Sequence, residues 1–476
     1  MKLRGPVILT LTLAAGQVVG LVRTVLVARF LGREIQGEAI AIGLCMGLLI
    51  SLITLHGAWQ LVQSRQEDLD GLQSTLQGTG IIRGVLAFLL VITTGPFFLD
   101  YIEQPQLIIP LLVIGLCPII EGCTHLDPWR DLREGSYRSF TIAQAAGPIG
   151  GAIAAVIALM VTRDIWAAVI ISVSITFSRM FGTHLVAKRR WSCRIHRTHL
   201  RPVIGFMLPL IPAGLLFWLN SHSDQILMFL GTRSEALPDF SLGSIGAYGT
   251  VAGLILLPRG TIVTALQSVL VPRLAEVQGD ELELRRRSLW TILFLTGLAV
   301  LIVILGVFAG DAVFRVGLGT SFDSGANVAS VLIGAFAIQL FRTYCYESSI
   351  AMGRTSVHLV GNVVRLSSMG FAIILLMDGQ GVEGLALSVL LGELTSTAVA
   401  GLWLMFTGQR QSWPVLPAAI LTGLFIFLSE PLTVYTREIS PTLRLAVVAG
   451  TAALISLGAA IVFRRRIAGF VNGFIR

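Results

Sequence analysis

The sequence predicts an all-α polytopic membrane protein. It should have about 14 transmembrane helices, in two pseudo-symmetric six-helix lobes followed by a C-terminal helix pair. Three observations carry this expectation. The 476-residue chain is 54% hydrophobic and only 13% charged, with a mean hydropathy of +0.80. Its apolar runs recur from end to end and are long enough to cross a hydrocarbon core of about 30 Å. They are continuous rather than alternating, which fits helices and not barrel strands. The chain also resembles itself: Phe-Leu-Gly falls at 30–32 and again at 229–231, an offset of 199 residues. Six spans separate the two positions, so the halves share one orientation, as in parallel-repeat transporters.

The elements follow in order. Spans at 6–31, 37–63, 79–99, 107–126, 139–161 and 165–187 form a first lobe over residues 1–200. Spans at 203–230, 243–272, 288–309, 326–352, 355–377 and 384–407 form a second lobe over 201–411, and 414–431 with 443–463 makes the pair over 412–476. Pro148, Pro209, Pro212, Pro258 and Pro272 should kink the fifth, seventh and eighth spans. The 50 glycines suit helices that pack closely. The first apolar run is too long and too polar-interrupted for a cleaved signal and reads as a retained span.

Charge sets the orientation. With the N-terminus inside, inner loops and tails hold 22 Lys and Arg and outer loops hold 6. That bias sets both termini in the cytoplasm. The net charge of +8 is then mostly topology, and the basic loop KRRWSCRIHRTHLR reads as a solvated, lipid-facing segment rather than a nucleic-acid footprint. No nucleic-acid partner and no cofactor are expected. Cys45, Cys117, Cys123, Cys193 and Cys345 read as packing residues, since Cys117 and Cys123 are not at a metal spacing. All loops are short, so no soluble catalytic domain can form, and function must reside within the bundle. The expectation is a transporter, not an enzyme.

Five arginines lie deep in hydrophobic runs: Arg23, Arg179, Arg259, Arg342 and Arg365. One arginine at the bilayer centre costs about 2.5–3.5 kcal/mol, so five would cost roughly 15 kcal/mol. Snorkelling accounts for Arg29 and Arg83, nearer span ends. It fails for the other five, which lie roughly 12–20 Å from the nearer end at 1.5 Å per residue. Four of them sit on polar stripes, while Arg23 aligns with Gly16 and Gly20 on the first span. Ser172, Thr176, Arg179 and Thr183 share a face of the sixth span; Tyr248 and Arg259 align on the eighth; Gln339, Arg342 and Tyr346 align on the tenth; His358, Asn362 and Arg365 align on the eleventh. Converging stripes point to a water-filled, cationic cavity. Deep acids are fewer, namely Asp224, Glu347 and Glu393, each either an ion-coupling group or a charge partner for an arginine. Guanidinium forks bind phosphate bidentately, which suits a diphosphate or an acidic sugar, with Tyr248 and Asn362 available for hydrogen bonding.

Two segments resemble a known family. VRTVLVARFLGREIQGEAIAIG is similar to the first-helix signature of polysaccharide-transporter flippases. SHSDQILMFLG, followed by LGSIGAYGTVAGLILLPRGTIVTALQSVLVPRLAE, resembles their mid-chain signature. These are O-antigen and exopolysaccharide flippases of the multidrug/oligosaccharidyl-lipid/polysaccharide superfamily. The resemblance implies a V-shaped bundle that moves a polyprenyl-diphosphate-linked oligosaccharide across the membrane by alternating access. It assigns the family's first-helix cavity arginine to Arg23 and its seventh-helix acid to Asp224. Partners implied are the lipid-linked glycan, membrane lipids, a proton or sodium ion for coupling, and polysaccharide polymerase or assembly proteins. A departure is the second span, which offers His56, Gln60 and Gln63 in place of a clear charge. Three other readings stay open at this stage: a lipid II flippase of peptidoglycan synthesis, a cation-coupled drug antiporter, and a membrane polysaccharide polymerase or ligase.

Overall fold

A computed structural model describes residues 4–53, 60–62, 68–208, 210–232, 238, 240–277, 280–352, 356–406 and 413–428. Among these residues every regular element is helical. Among the described residues, nine helical stretches are long and apolar enough to cross a membrane. The chain is a multi-pass membrane protein. The fourteenth expected span, 443–463, lies outside the described residues, as do His56 and Gln63.

The first element, α1 (Arg4–Ile53), has 50 residues. A straight helix of that length would be about 75 Å long, far more than one crossing needs. It breaks at Gly32, where φ is 81° and ψ is 172°, a conformation open to glycine and strained for other residues. The break falls at the Phe-Leu-Gly triplet, where the sequence separates two spans. Then come α2 (Leu69–Tyr101), α3 (Ile108–Gly115), α4 (Cys117–Gly122), α5 (Asp127–Arg133), α6 (Arg138–Val161) and α7 (Ile165–Val186). The second half holds α8 (Arg197–Met207), α9 (Leu210–Gly231), α10 (Leu242–Ala275), α11 (Glu281–Leu318), α12 (Asp323–Asn327), α13 (Ala329–Ala351), α14 (Ser356–Arg365), α15 (Ser367–Met377), α16 (Gly381–Phe406) and α17 (Val415–Leu428).

Helix breaks do not simply follow the prolines. Pro148 lies inside the unbroken α6. The fourth span breaks between Gly115 and Cys117, just before Pro118, which sits in the first turn of α4, a position that leaves no amide hydrogen bond to lose. The eleventh span breaks at Leu366, with no proline nearby, so Arg365 is the last residue of α14.

Packing falls into two sets of helices, α2 to α7 and α10 to α17, with α1 touching both. One core cluster runs through α1, α10 and the turn after α11 by way of Ile42, Ile245, Tyr248 and Phe322. A second lies within the later set, around Leu295, Phe341, Tyr344 and Leu404. Where α1 meets α10 the backbones nearly touch, because Gly37 packs on the Leu242 carbonyl and Gly246 on that of Arg33. Close by, the Arg29 Nη1 donates to the carbonyls of Val316 (3.2 Å) and Gly317 (3.4 Å), satisfying the C-terminal end of α11. This seam lies at the end of the bundle opposite the basic loops.

At the basic end most side chains of the segment 188–198 are exposed, as expected of a solvated loop, while its backbone is held against the bundle. The Ser74 Oγ donates to the Arg194 carbonyl (2.8 Å), and the His196 amide donates to the Thr75 Oγ1 (3.1 Å). The Gln77 amide, oriented to satisfy both its groups, donates to the Ser192 carbonyl (3.3 Å) and accepts from the Trp191 Nε1 (2.7 Å). A row of small polar residues on the first turns of α2 thus receives the backbone of 191–196.

Candidate functional site

The polar stripes of α13 and α14 meet across the second half of the chain. Most of α13 is buried, including Gln339, Arg342, Thr343 and Glu347. The Arg342 Nε donates to the Glu393 Oε2 (2.8 Å) and its Nη2 to Oε1 (3.2 Å). From the broken end of α14, the Arg365 Nε reaches the same carboxylate, 2.7 Å from Oε1. Arg342 is 4% exposed, Arg365 8% and Glu393 2%. One acid on α16 therefore holds two guanidiniums, a bidentate arrangement on one side and a single contact on the other.

Hydrogen bonds extend the cluster. The Arg342 Nη1 donates to the Tyr346 hydroxyl (3.2 Å), which itself donates to the Asn362 Oδ1 (3.4 Å). The Asn362 carbonyl accepts from the Asn220 Nδ2 of α9 (2.9 Å). The His358 ring lies 4.2 Å from that of Tyr346. Tyr248 of α10 is fully buried and donates to the Asp224 Oδ2 of α9 (2.6 Å). Asp224 is thus paired with a tyrosine.

Between these groups lies a cavity of about 50 Å³ walled by Asn220, Ser221, Asp224, Gln339, Arg365 and Glu393, among others. At about 15 Å³ per water it has room for roughly three waters and none for a diphosphate sugar. The Asn220 Oδ1 and Ser221 Oγ are buried with no protein partner, so the cavity calls for a small polar occupant. Replacing Tyr248 by Phe should leave the buried Asp224 Oδ2 without its donor. The expected loss is about 1.5–3 kcal/mol, the scale of a hydrogen bond to a charged group. Thermal melting of the purified variant measures it, and an unchanged midpoint would show that the bond contributes nothing.

The remaining arginines are elsewhere. The Arg23 Nη1 lies over α6 at Gly151, 2.6 Å from where a β-carbon would stand, and the Arg179 Nε lies 3.4 Å from the equivalent point at Gly147. The two glycines are one helical turn apart, so the guanidiniums lie side by side on one face of α6. Arg23 is half-buried and Arg179 exposed. Among the described residues, neither has an ion-pair partner. Arg259 lies on α10, but its side chain is outside the described residues. Glu347 is buried on α13, one turn beyond Arg342. The five arginines therefore do not line one cavity: Arg342 and Arg365 share Glu393, while Arg23 and Arg179 form a separate, uncompensated pair.

A second ionic cluster, at the basic end, goes beyond the sequence expectations. Asp127, 1% exposed, accepts from the Arg189 Nη1 (2.6 Å) and from the backbone amides of Lys188 (2.7 Å) and Arg189 (3.1 Å). Burial alone would raise its carboxyl pKa, but Arg189 and these amides hold it below the ordinary aspartate range. Asp131, one turn on, takes the Lys188 Nζ (2.9 Å) and the Ser139 Oγ (2.6 Å). Its signal is present in DPWRDLREG, whose two aspartates four apart face one way on a helix and match the adjacent Lys188 and Arg189.

A bundle of membrane-length helices with buried ion clusters, and with arginines that have no ion-pair partner among the described residues, is the build of a multi-pass membrane transporter. The chain belongs to the polysaccharide biosynthesis protein family, whose sequence model matches residues 26–327. Its fold is that of the multidrug/oligosaccharidyl-lipid/polysaccharide flippase superfamily. A structure of the lipid II flippase MurJ in an inward closed conformation is similar with a TM-score of 0.66 at 12% identity, covering 97% of this chain and 100% of that one. An inward-facing multidrug resistance MATE family transporter gives 0.60 at 15% identity, covering 86% and 94%. The MATE multidrug transporter DinF-BH gives 0.60 at 15%, covering 87% and 98%. No curated protein sequence matches the chain.

Proposed function

We propose that this protein is a flippase for a polyprenyl-diphosphate-linked oligosaccharide, the precursor of a surface polysaccharide. The observation that carries this reading is the uncompensated pair Arg23 and Arg179, set one turn apart over Gly151 and Gly147. Two unpaired guanidiniums at that separation suit the two phosphoryl groups of a diphosphate better than a cationic drug, which an acidic surface would attract. Membership of a polysaccharide biosynthesis family supports the same substrate class. Arg259 would complete the site from α10.

The mechanism that fits is alternating access between two lobes, 1–200 and 201–411, with 412–476 as an accessory helix pair. The lobes would open at the basic end, in the cytoplasm of a bacterium with both termini there, as the Lys and Arg distribution requires. The lipid tail stays in the bilayer while the head group crosses. Polymerase or assembly proteins would receive the product on the far side.

The coupling ion in this reading is a proton or sodium at Asp224, which shares a small cavity with the Arg365 guanidinium. Glu393 is held by two arginines and Glu347 lies beyond Arg342, so both serve charge balance in this reading. Transport in liposomes under a proton gradient alone, against a sodium gradient alone, separates the two ions.

The substrate reading is tested by Arg23→Ala and Arg179→Ala. Each removes a charge-assisted contact of about 1.5–3 kcal/mol, so flipping of a polyprenyl-diphosphate sugar should fall about 10- to 100-fold. The protein should remain in the membrane at its parental level. Normal surface polymer from both variants would overturn the assignment. Lipid II is the second reading, prompted by the likeness to MurJ. Depletion would then cause lysis rather than loss of surface polysaccharide.

A further inference from the structure

The basic end carries a second pocket, separate from the arginine pair and from the Glu393 cluster. It is a cleft of about 470 Å³ between the first turns of α2 and the docked segment 189–196, within the size range of small-molecule sites. One wall presents Asp68, Asp70, Gln73, Ser74 and Gln77; the other presents Arg189, Arg190, Ser192, Arg194 and His196.

Several of these groups are already engaged. Asp68 accepts from the Gly71 amide (2.9 Å) and meets the His199 Nε2 (3.0 Å). Asp70 pairs with Arg130. Arg189 is held by Asp127 at 2.6 Å. Arg190 and Arg194 are both exposed, and among the described residues neither has a salt-bridge partner. Facing them is Gln73, 4% exposed, whose buried Oε1 accepts no hydrogen bond. A buried acceptor left in this way needs a donor from whatever fills the cleft.

These features specify a ligand with two parts. The free guanidiniums can take an anion, and their planar forks match a phosphoryl group. The Gln73 Oε1 calls for a hydroxyl donor, and the exposed Asp68 carboxylate can accept another. With Arg189 held by Asp127, Asp70 by Arg130 and Asp68 by His199, the free charges on the walls are the two guanidiniums of Arg190 and Arg194, which suit one phosphate and not a polyphosphate. We propose that this cleft binds a phosphorylated polyol, with Arg190 and Arg194 on the phosphate and Gln73 on a hydroxyl. Such a ligand has two sources at this end of the protein: the head group of an anionic glycerol lipid, or a soluble sugar phosphate. Trp191 (36% exposed) and Ile195 (40%) lie on the same segment, and place apolar contacts beside the cleft that a lipid can use.

The test uses the full chain with two probes. Glucose 1-phosphate is titrated by calorimetry into detergent-purified protein, with glucose as the phosphate-free control. In parallel, nanodiscs of phosphatidylcholine with and without phosphatidylglycerol are compared by hydrogen exchange over residues 188–197. At least one probe should bind or protect the wild type, and glucose should not bind. The double variant Arg190→Gln/Arg194→Gln should weaken the effect at least ten-fold. Gln73→Leu removes the orphan acceptor with little change of shape, so it should weaken binding while the melting temperature holds or rises. Response to the lipid alone or the soluble probe alone identifies the source, and response to both supports the shared chemistry. Failure of both probes on wild type, equal binding of glucose, or binding undiminished in the double variant would overturn the proposal. None of these outcomes depends on whether the protein flips a lipid-linked sugar, because flipping is not the readout.

Discussion

Replacing Glu393 by alanine is expected to have the largest effect on stability of any single change in this protein. The carboxylate accepts from Arg342 at 2.8 Å and 3.2 Å and holds Arg365 at 2.7 Å, and all three side chains are buried. Removing one partner of a buried ion pair costs about 3–5 kcal/mol, because the other charge remains without compensation. Here two charges are stranded, so the upper end of that range applies, against a typical total stability of about 5–15 kcal/mol. The Glu393→Ala protein should therefore melt far below wild type or fail to accumulate. The converse experiment separates structure from transport. Arg342→Met, Arg365→Met and Glu393→Leu together remove every charge in the cluster, and apolar replacement of a buried ionic triad is often neutral or stabilising. The triple variant should recover most of the lost melting temperature. If it also transports, the cluster is a structural device; if it is stable and inactive, the charges take part in the cycle. A Glu393→Ala melting temperature matching wild type would mean the ion cluster does not form.

Helix faces can be read from the sequence, but not which faces meet. Helical periodicity places Arg342 with Tyr346, and Asn362 with Arg365, because positions three and four apart share a stripe whatever the neighbours are. It cannot show that Glu393, two helices further on, takes both arginines, since that depends on how α13, α14 and α16 pack. Counting acids against arginines is sound as arithmetic. Four of the five arginines fall into two pairs in the chain: Arg342 and Arg365, which share the one carboxylate of Glu393, and Arg23 and Arg179, which have no ion-pair partner among the described residues. The break at Leu366 has no proline or glycine to announce it. Composition registers the charge and the exposure of the basic loop, but not the ladder of Ser74, Thr75 and Gln77 that binds its backbone. Gly32 lies in the triplet that marks the turn, and a positive φ there is what its missing side chain permits.

The seam between α1 and α10 should respond most sharply to a single methyl group. A β-carbon at Gly246 would fall well inside contact distance of the Arg33 carbonyl and 2.6 Å from the Gly37 amide nitrogen. Both are backbone atoms, which cannot rotate away as a side chain can, so the methyl must push the two helices apart. Overpacking of this kind costs about 1–3 kcal/mol, and opening the seam relieves it more readily than unfolding either set of helices. Gly246→Ala should therefore leave a folded protein whose halves are held apart at the end opposite the basic loops. Gly253→Ala, two turns along the same helix, is the control: nothing lies within 4 Å of its added carbon. That change should be neutral or slightly stabilising, since alanine favours helix over glycine by about 1 kcal/mol. Spin labels at Glu34→Cys and Ser241→Cys, in a background lacking the five native cysteines, report the separation directly. Gly246→Ala should lengthen the distance and abolish transport together, because a seam that cannot close cannot complete an alternating cycle. A lengthened distance with normal transport would show that closure here is not required. An unchanged distance would show that the two backbones do not approach as closely as Gly37 and Gly246 allow.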